Sequence, residues 1–288
     1  MSVAFVTSHF LSDLTADDRL AVAALAKRGV RVVPTVWNDE SVDWPTFDAI
    51  VVRSTWDYHR RSQEFRGWIE RLAASGARVW NPASVLRWNM QKTYLQAMER
   101  EGVPIVPTAW LRQGSAVTLG RVLDERGWRE VVIKPAISAT AFRTWRVSAS
   151  EASEAHERLT ELLDAGDVMV QPFIREIQSE GEWSMIFFSG TFSHAVRKRP
   201  RDSDFRVQAE FGGTEAAETP SSEVLAAASR VLATVREPWL YARVDGVETE
   251  RGFVLCELEM LEPTLYLGAN TEAPERFADA IVRIATSA

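Results

Sequence analysis

The first 85 residues alternate between short apolar runs and stretches with helical spacing. Apolar runs bounded by turn residues are typical of buried strands, and strands that alternate with helices favour a parallel sheet flanked by helices. The pattern predicts a Rossmann-like α/β domain over residues 1–88. Its expected strands are residues 3–7, 30–36, 49–54 and 78–80, and its expected helices lie between Thr15 and Gly29 and at residues 62–75.

Two further groups of elements follow, at residues 89–172 and 173–288. Ser150 and Ser221 each precede a helical stretch as an N-cap, and Pro274 begins the last helix. Ser189-Gly190 joins two strand-like runs in the manner of a hairpin turn. The other expected elements are a helix at residues 90–101 and strands at residues 131–133, 144–147, 168–170, 183–188, 192–197, 241–244 and 253–258. The chain is therefore expected to be a mixed α/β (α+β) protein.

Composition argues against several classes of protein. The net charge of −7 shows no basic excess, so a nucleic-acid partner is not expected. There is no run of about 18 apolar residues that could cross a membrane. Residues 1–10 carry no positively charged leader, so the cytoplasm is the expected compartment. The single cysteine, Cys256, allows neither a disulfide framework nor a multi-cysteine metal site.

Several common catalytic motifs are absent from the sequence. It contains no Gly-x-x-x-x-Gly-Lys-Ser/Thr phosphate loop and no Gly-x-Gly-x-x-Gly dinucleotide fingerprint. It also lacks the His-Glu-x-x-His zinc motif and the Gly-x-Ser-x-Gly nucleophile elbow. A nucleotide site, if present, must therefore be built in another way.

A lysine and a loop of small residues follow the predicted strand at residues 131–133. Lys134 ends that strand, and residues 136–141 are small or carry hydroxyl groups. An ammonium group at a strand end can hold a phosphate, and the backbone N–H groups of such a loop can approach phosphate oxygens closely. An ordinary strand and turn explain the same residues, so this motif alone leaves both interpretations open.

Two later segments could complete a nucleotide site. The apolar run that ends at Gln171 continues through Phe173 and Ile174, and backbone groups there could hydrogen-bond an adenine edge. Glu182 begins the next predicted strand and could accept hydrogen bonds from ribose hydroxyls. Taken singly, these residues also fit a linker and a solvated acid.

The most informative pattern is Arg243-Val244-Asp245 together with Glu257-Leu258-Glu259. Strand alternation places the charged residues of each triplet on one face. If the two strands pair, three carboxylates and one arginine converge, and hard oxygen ligands in that number suit Mg²⁺ that bridges nucleotide phosphates. An exposed acidic strand face with a surface ion pair is the alternative.

The order of these motifs resembles the ATP-grasp superfamily over residues 86–272. Strand-Lys-Pro with a small loop is followed by Gln-Pro-Phe-Ile, Gly-Glu-x-Ser, Arg-x-Asp and Glu-x-Glu. The resemblance implies an ATP-grasp fold, with a small lobe at residues 89–172, a large lobe at 173–288 and a preceding α/β lobe at 1–88. It also implies ATP and Mg²⁺, as two ions, as cofactors.

The resemblance assigns nucleotide-binding roles residue by residue. Residues 138–142 match the loop that covers the phosphates, although this loop lacks the glycines that the family usually has there. The residues that match phosphate ligands are Lys92, Lys134 and Ser138; those that match the adenine hinge are Gln171, Phe173 and Ile174; and Glu182 matches the ribose acceptor.

The same resemblance assigns the catalytic and metal-binding groups. Arg243 matches the arginine that stabilises the tetrahedral transition state, and Asp245, Glu257 and Glu259 match the magnesium ligands. Arg206, in Asp204-Phe205-Arg206, resembles an arginine near the acyl phosphate of glutathione-synthetase-like members. Lys198 is grouped with these catalytic residues. Only four of the 33 basic residues are lysines, and three of them lie in or near the family motifs.

A substrate site is expected just beyond the third strand of the first domain, because ligands of open α/β sheets bind at the carboxyl ends of strands. Arg53 could pair with a carboxylate, Asp57 with an ammonium group, and Trp56 could pack against either. Packed residues at a capped strand end are the alternative. With Glu257-x-Glu259 and Glu262-Pro263, this stretch resembles the O-ureido-serine cyclo-ligases of cycloserine biosynthesis and their relatives.

Taken together, the resemblances imply an ATP-dependent carboxylate–amine ligase that works through an acyl phosphate and releases ADP and phosphate. The expected partners are small-molecule carboxylate and amine substrates, and a homodimer is left open. Two alternatives remain at this point. One is a small-molecule phosphotransferase, although the His-Arg-Asp and Asp-Phe-Gly motifs of protein kinases are absent. The other is a regulatory module that binds ATP without catalysis.

Overall fold

The structure, a computed structural model, describes residues 1–201, 204, 206–207 and 211–286. Its N-terminal part is a parallel sheet with the strand order β2-β1-β3-β4. Thr15 caps the first helix, since its side chain accepts a hydrogen bond from the Asp18 amide. The elements are β1 (Ser2–Thr7), α1 (Ala16–Ala26), β2 (Arg31–Val36), β3 (Ala49–Ser54), α2 (Ser62–Ala74) and β4 (Val79–Trp80). The predicted parallel α/β sheet is confirmed.

The C-terminal helix of the chain completes the core of this first sheet. In α9 (Ala273–Thr286), Phe277 and Ile281 are fully buried and pack with Val3 and Phe5 of β1. The other face of the sheet is covered by α2 and a group of buried aromatic residues that includes Trp37 and Trp68. Because apolar burial is the main stabilising term, residues 1–88 depend on the end of the chain for half of their core.

The second sheet is antiparallel, with the order β5-β8-β6-β7. Val131 and Ile133 of β6 face the core against α5 and α6, whereas Val132 and Lys134 alternate onto the opposite face and line a cleft. The elements of this lobe are β5 (Ala109–Leu111), α5 (Leu119–Arg126), β6 (Glu130–Pro135), β7 (Trp145–Ser148), α6 (His156–Ala165) and β8 (Val168–Pro172).

The third sheet is also antiparallel, with the order β11-β10-β9-β12-β13. The expected hairpin at Ser189-Gly190 and the expected pairing of the strands that carry Arg243 and Glu257 are both present. The elements are α7 (Glu176–Ser179), β9 (Glu182–Phe188), β10 (Thr191–Arg199), β11 (Thr214–Ala217), α8 (Ser222–Leu232), β12 (Tyr241–Thr249) and β13 (Gly252–Glu259). None of the described helices is long and apolar enough to cross a membrane.

Two helix predictions were wrong. The continuous helix expected at residues 90–101 is instead α3 (Ala83–Asn89) and α4 (Tyr94–Arg100), with a turn between them. The Asn89 and Tyr94 side chains hydrogen-bond the backbone of β13 at Leu258, which fixes both ends of the turn. The helix expected from Ser150 begins only at His156, because Ser148 and Glu151 form a capping box around a short 3₁₀ turn.

Candidate active site

The second and third sheets enclose a cleft of about 420 Å³, and the N-terminal lobe closes one end of it. Trp56 and Tyr58 reach the cleft from the N-terminal lobe. Of the residues predicted from sequence, those that line the cleft are Trp56, Lys92, Lys134, Ser138, Gln171, Phe173, Ile174, Glu182, Lys198, Arg206, Arg243, Glu257 and Glu259. Arg53, Asp57 and Asp245 do not line it.

One end of the cleft is an apolar slot. Val106, Val132, Ile174, Ile177 and Cys256 form its walls. The Phe173 amide donates to the Glu130 carbonyl oxygen at 2.9 Å, whereas the Ile174 amide has no hydrogen-bond acceptor in the described part of the chain. A flat apolar slot with one available backbone donor can hold a planar heteroaromatic ring.

Three lysines lie along the cleft floor. Lys92 lies in the turn between α3 and α4, where its Nζ donates to the Ser138 carbonyl oxygen at 2.7 Å and pairs with Glu257 at 2.8 Å. Lys198 pairs with Glu182 at 2.9 Å. Lys134 has no ion pair among the residues that the structure describes. Burial lowers the pKa of Lys134 more than nearby Glu257 raises it, so this ammonium group lacks a close counter-charge.

The loop after Lys134 contains no glycine, yet it adopts backbone conformations that favour glycine. Thr140, Ala141 and Arg143 have φ values of 47°, 53° and 50°. Phe142 anchors the loop to the N-terminal lobe, with its ring centroid 4.7 Å from that of His59 and 5.5 Å from the Arg60 guanidinium carbon. The loop is therefore held over the cleft by packing of an aromatic side chain.

The strands that carry the predicted carboxylates pair, as the sequence pattern requires. Asp245 lies opposite Glu257, and Arg243 lies opposite Glu259. The Arg243 Nη2 atom donates to Asp245 at 2.8 Å and to Glu259 at 2.5 Å. Asp245 also accepts from Ser184. The bonds of Asp245 to these groups keep it behind Arg243 and out of the cleft lining.

The two acids that flank Arg243 differ in their electrostatics. Burial raises the pKa of Glu259 to about 8, and Glu257 and Asp245 add to the shift against the opposing effect of Arg243. For Asp245, Arg243 and Lys198 outweigh burial and lower the pKa. A hard dication fits oxygen donors of this kind. Among the described residues no three acidic, histidine or cysteine side chains form a preformed cation cage, so phosphate oxygens would have to complete the coordination.

Arg206 lines the cleft at its outer side. Its guanidinium donates to both carboxylate oxygens of Asp204, at 3.0 and 2.7 Å, and lies 3.6 Å from the ring centroid of Phe211. Phe205, which belongs to the same predicted segment, lies outside the described residues.

The structure corrects the prediction that Arg53 and Asp57 face the substrate. Arg53 is only 2% exposed, pairs with Asp18 at 2.8 Å and donates to the Pro263 carbonyl oxygen at 2.9 Å. Asp57 accepts a hydrogen bond from the Trp37 indole at 2.9 Å. Trp56 does reach the cleft, and its indole N–H donates to the Glu262 carbonyl oxygen at 3.1 Å. Arg53 therefore supports a wall of the cleft from behind.

Sequence reasoning missed several residues that line the cleft, notably Tyr58, Glu215, Tyr266 and Glu262. Glu262 carried the clearest signal, because it is an acid between Leu261 and Pro263 in an otherwise apolar run just after the Glu-x-Glu triplet. In the sequence, Glu262-Pro263 contributes only to the resemblance to the cyclo-ligases.

Comparison with known proteins identifies the family. Residues 3–81 match the family described as the N-terminal domain of the D-cycloserine synthetase DcsG. The cycloserine biosynthesis protein DcsG of Streptomyces lavendulae is 32% identical over 260 residues, which cover 85% of this chain and 86% of that protein. The chain belongs to the DcsG family of ATP-grasp ligases.

Solved structures agree with membership of the DcsG family. The crystal structure of D-cycloserine synthetase DcsG superposes with a TM-score of 0.89 at 28% identity, and the match covers 99% of this chain and 100% of that one. D-alanine–D-alanine ligase from Bacillus anthracis, also solved with ATP, has a TM-score of 0.72 at 15% identity, with coverage of 99% and 97%. The predicted ATP-grasp fold and the predicted class of carbon–nitrogen ligase are confirmed.

Proposed function

We propose that this enzyme closes a small ring by joining the carboxylate of an amino-acid-like molecule to a nitrogen of the same molecule, with ATP converted to ADP and phosphate. The observation that carries the proposal is that Lys92, Lys134, Lys198 and Arg243 line the same cleft as Glu257 and Glu259. The DcsG relatives, whose names refer to cycloserine, support cyclisation of an O-ureido-serine-like substrate.

The nucleotide would occupy the apolar slot and the lysine floor. Its adenine would lie against Phe173 and accept a hydrogen bond from the Ile174 amide, and Gln171 would line the same slot. Glu182 would accept from the ribose. Lys134, which lacks an ion pair in the described residues, would bind a phosphate without first losing a partner. Ser138 and its loop would cover the phosphates.

Glu257 and Glu259 would hold magnesium together with phosphate oxygens, and Asp245, the third acid predicted from sequence, would act from behind by fixing the Arg243 guanidinium. Magnesium bound there would neutralise charge on the phosphates during transfer. Two ions would bind there, as in the family that the chain resembles.

The reaction would proceed in two steps. A carboxylate oxygen of the substrate attacks the γ-phosphorus, the bond to the ADP oxygen breaks, and an acyl phosphate forms. The substrate nitrogen then attacks the acyl carbon, loses a proton, and expels phosphate with the original carboxylate oxygen. Arg243 would stabilise the oxyanion, while Arg206 and Lys198 would neutralise the leaving phosphate. Binding in one cleft supplies the proximity that the second step needs. The cytoplasm, where ATP is available, would be the site of action.

Incubation with ATP, Mg²⁺ and O-ureido-serine tests this function. We expect a cyclic amide by mass spectrometry and one ADP for each ring formed. ADP with a stable phosphorylated substrate would instead indicate a phosphotransferase. ATP binding without ADP release in the presence of any small amino acid or carboxylate would indicate a regulatory module.

A further inference from the structure

The backbone at residues 262–263 is fixed by the N-terminal lobe. Trp56 donates to the Glu262 carbonyl oxygen at 3.1 Å, and Arg53 donates to the Pro263 carbonyl oxygen at 2.9 Å. Arg53 is itself held by the buried Asp18. Trp56 is half-buried, Arg53 is buried, and they hold consecutive carbonyl groups. They therefore fix the Glu262 backbone and with it the point at which the Glu262 side chain enters the cleft.

The Glu262 carboxylate is buried in the cleft wall without a partner. The residue is 8% exposed and lines the cleft, yet it has no side-chain hydrogen bond or ion pair within the described ranges. The neighbouring Glu182, Glu257 and Glu259 differ, since each has a cation within 2.9 Å. The Glu262 carboxylate oxygens are not among the fully enclosed, unpartnered polar atoms of the described residues, so they are open to the cleft and available to a ligand.

The Glu262 carboxylate can itself accept hydrogen bonds from a small cationic ligand. Burial raises the pKa of Glu262 to about 7, and Glu257 adds to this, while Lys92, Arg243 and Arg53 oppose it. Trp56 and Tyr58 provide apolar surface on the side of the N-terminal lobe. Glu262 lies near Lys92, Arg243 and Tyr58 and is not among the residues of the apolar slot, so it is available to the substrate that binds beside ATP.

We propose that Glu262 binds the ammonium group of the amino-acid substrate and so selects a zwitterion. The proposal rests on the proposed function, which places the substrate carboxylate near Arg243. An ammonium group on the adjacent carbon would then lie between the phosphate end of the cleft and Glu262. The charge-assisted hydrogen bond would form only with the correct substrate. This assigns to Glu262 the role that sequence analysis gave to Asp57.

Calorimetry with a non-hydrolysable ATP analogue present tests the proposal without requiring turnover. The probes are O-ureido-serine and its deaminated counterpart, in which hydrogen replaces the ammonium group. Wild-type protein should bind the amino acid at least tenfold more tightly than the deaminated compound. Glu262→Gln should lose that preference and leave affinity for the ATP analogue unchanged. Glu99→Gln, the same change on the exposed surface of α4, is the matched control.

The possible results distinguish an ammonium site at Glu262 from a structural role and from failure of the proposed cyclisation. If Glu262 has only a structural role, Glu262→Gln should lower the melting temperature and weaken the binding of both probes equally. That result would overturn the proposal. Equal binding of both probes by wild-type protein would overturn it as well, even if the variant does not fold. If the preference for the amino acid depends on Glu262 but no cyclic product forms on turnover, the ammonium site stands and the proposed cyclisation fails.

Discussion

The Phe142 ring of the loop after Lys134 packs on the His59 imidazole of the N-terminal lobe, with centroids 4.7 Å apart. The contact joins the loop that would cover ATP to the lobe that supports the substrate side. Such a pair contributes about 1 kcal/mol. We therefore expect Phe142→Ala to raise the KM for ATP about fivefold and to increase ATP hydrolysis without ligation. Steady-state kinetics checks this, with the exposed Phe10→Ala as control. An unchanged KM would show that the packing does not hold the loop.

Lys134 should contribute mainly to nucleotide affinity. Its ammonium group has no ion pair in the described residues, so its removal leaves no carboxylate unpaired. A hydrogen bond from a charged group is worth about 2 kcal/mol, so Lys134→Ala should weaken ATP binding more than tenfold with a normal melting temperature. Calorimetry measures the ATP affinity of this variant and of the control Lys27→Ala, which removes an exposed lysine that does not line the cleft. Wild-type affinity in Lys134→Ala would exclude the phosphate contact.

The metal assignment predicts a shift in magnesium dependence. Glu257→Gln and Glu259→Gln each replace a carboxylate with a poorer ligand for a hard cation, so each should raise the magnesium concentration for half-maximal turnover. Asp245→Asn should also weaken the hold on Arg243 and lower stability, because Asp245 is 2% exposed and paired with that guanidinium. Magnesium titrations that match wild type in all three variants would remove the carboxylate cluster from the metal site.

Arg53→Ala should lower stability and substrate affinity together. It leaves Asp18 buried without its partner, which costs about 3–5 kcal/mol. It also releases the Pro263 carbonyl group behind Glu262. Thermal melting and substrate titration on one sample separate the effects. A normal melting temperature with a raised KM would mean that Arg53 contacts the substrate directly after all.

The alternation of apolar and polar residues along the chain was enough to predict the strands and which residues share a strand face. The alternation of Val131 and Ile133 against Lys134, and the shared face of Arg243 and Asp245, follow from a period of two residues. It could not reveal what Arg53 touches, since Pro263 lies 210 residues away in sequence. The same limit applies to the break at Lys92, because Asn89 at the end of α3 and Tyr94 at the start of α4 are held by bonds to β13. Glu262 could be recognised only as an acid in an apolar run, because its placement depends on Trp56, 206 residues away in sequence.

The central claim, that the carboxylate is activated as an acyl phosphate before the nitrogen attacks, is tested most directly by isotope transfer. The substrate carboxylate is labelled with ¹⁸O, and the phosphate released during turnover is analysed by mass spectrometry. The mechanism predicts one ¹⁸O atom in each phosphate and ADP as the product nucleotide, since the attacking carboxylate oxygen leaves with the phosphoryl group. Unlabelled phosphate, or AMP with pyrophosphate, would contradict it.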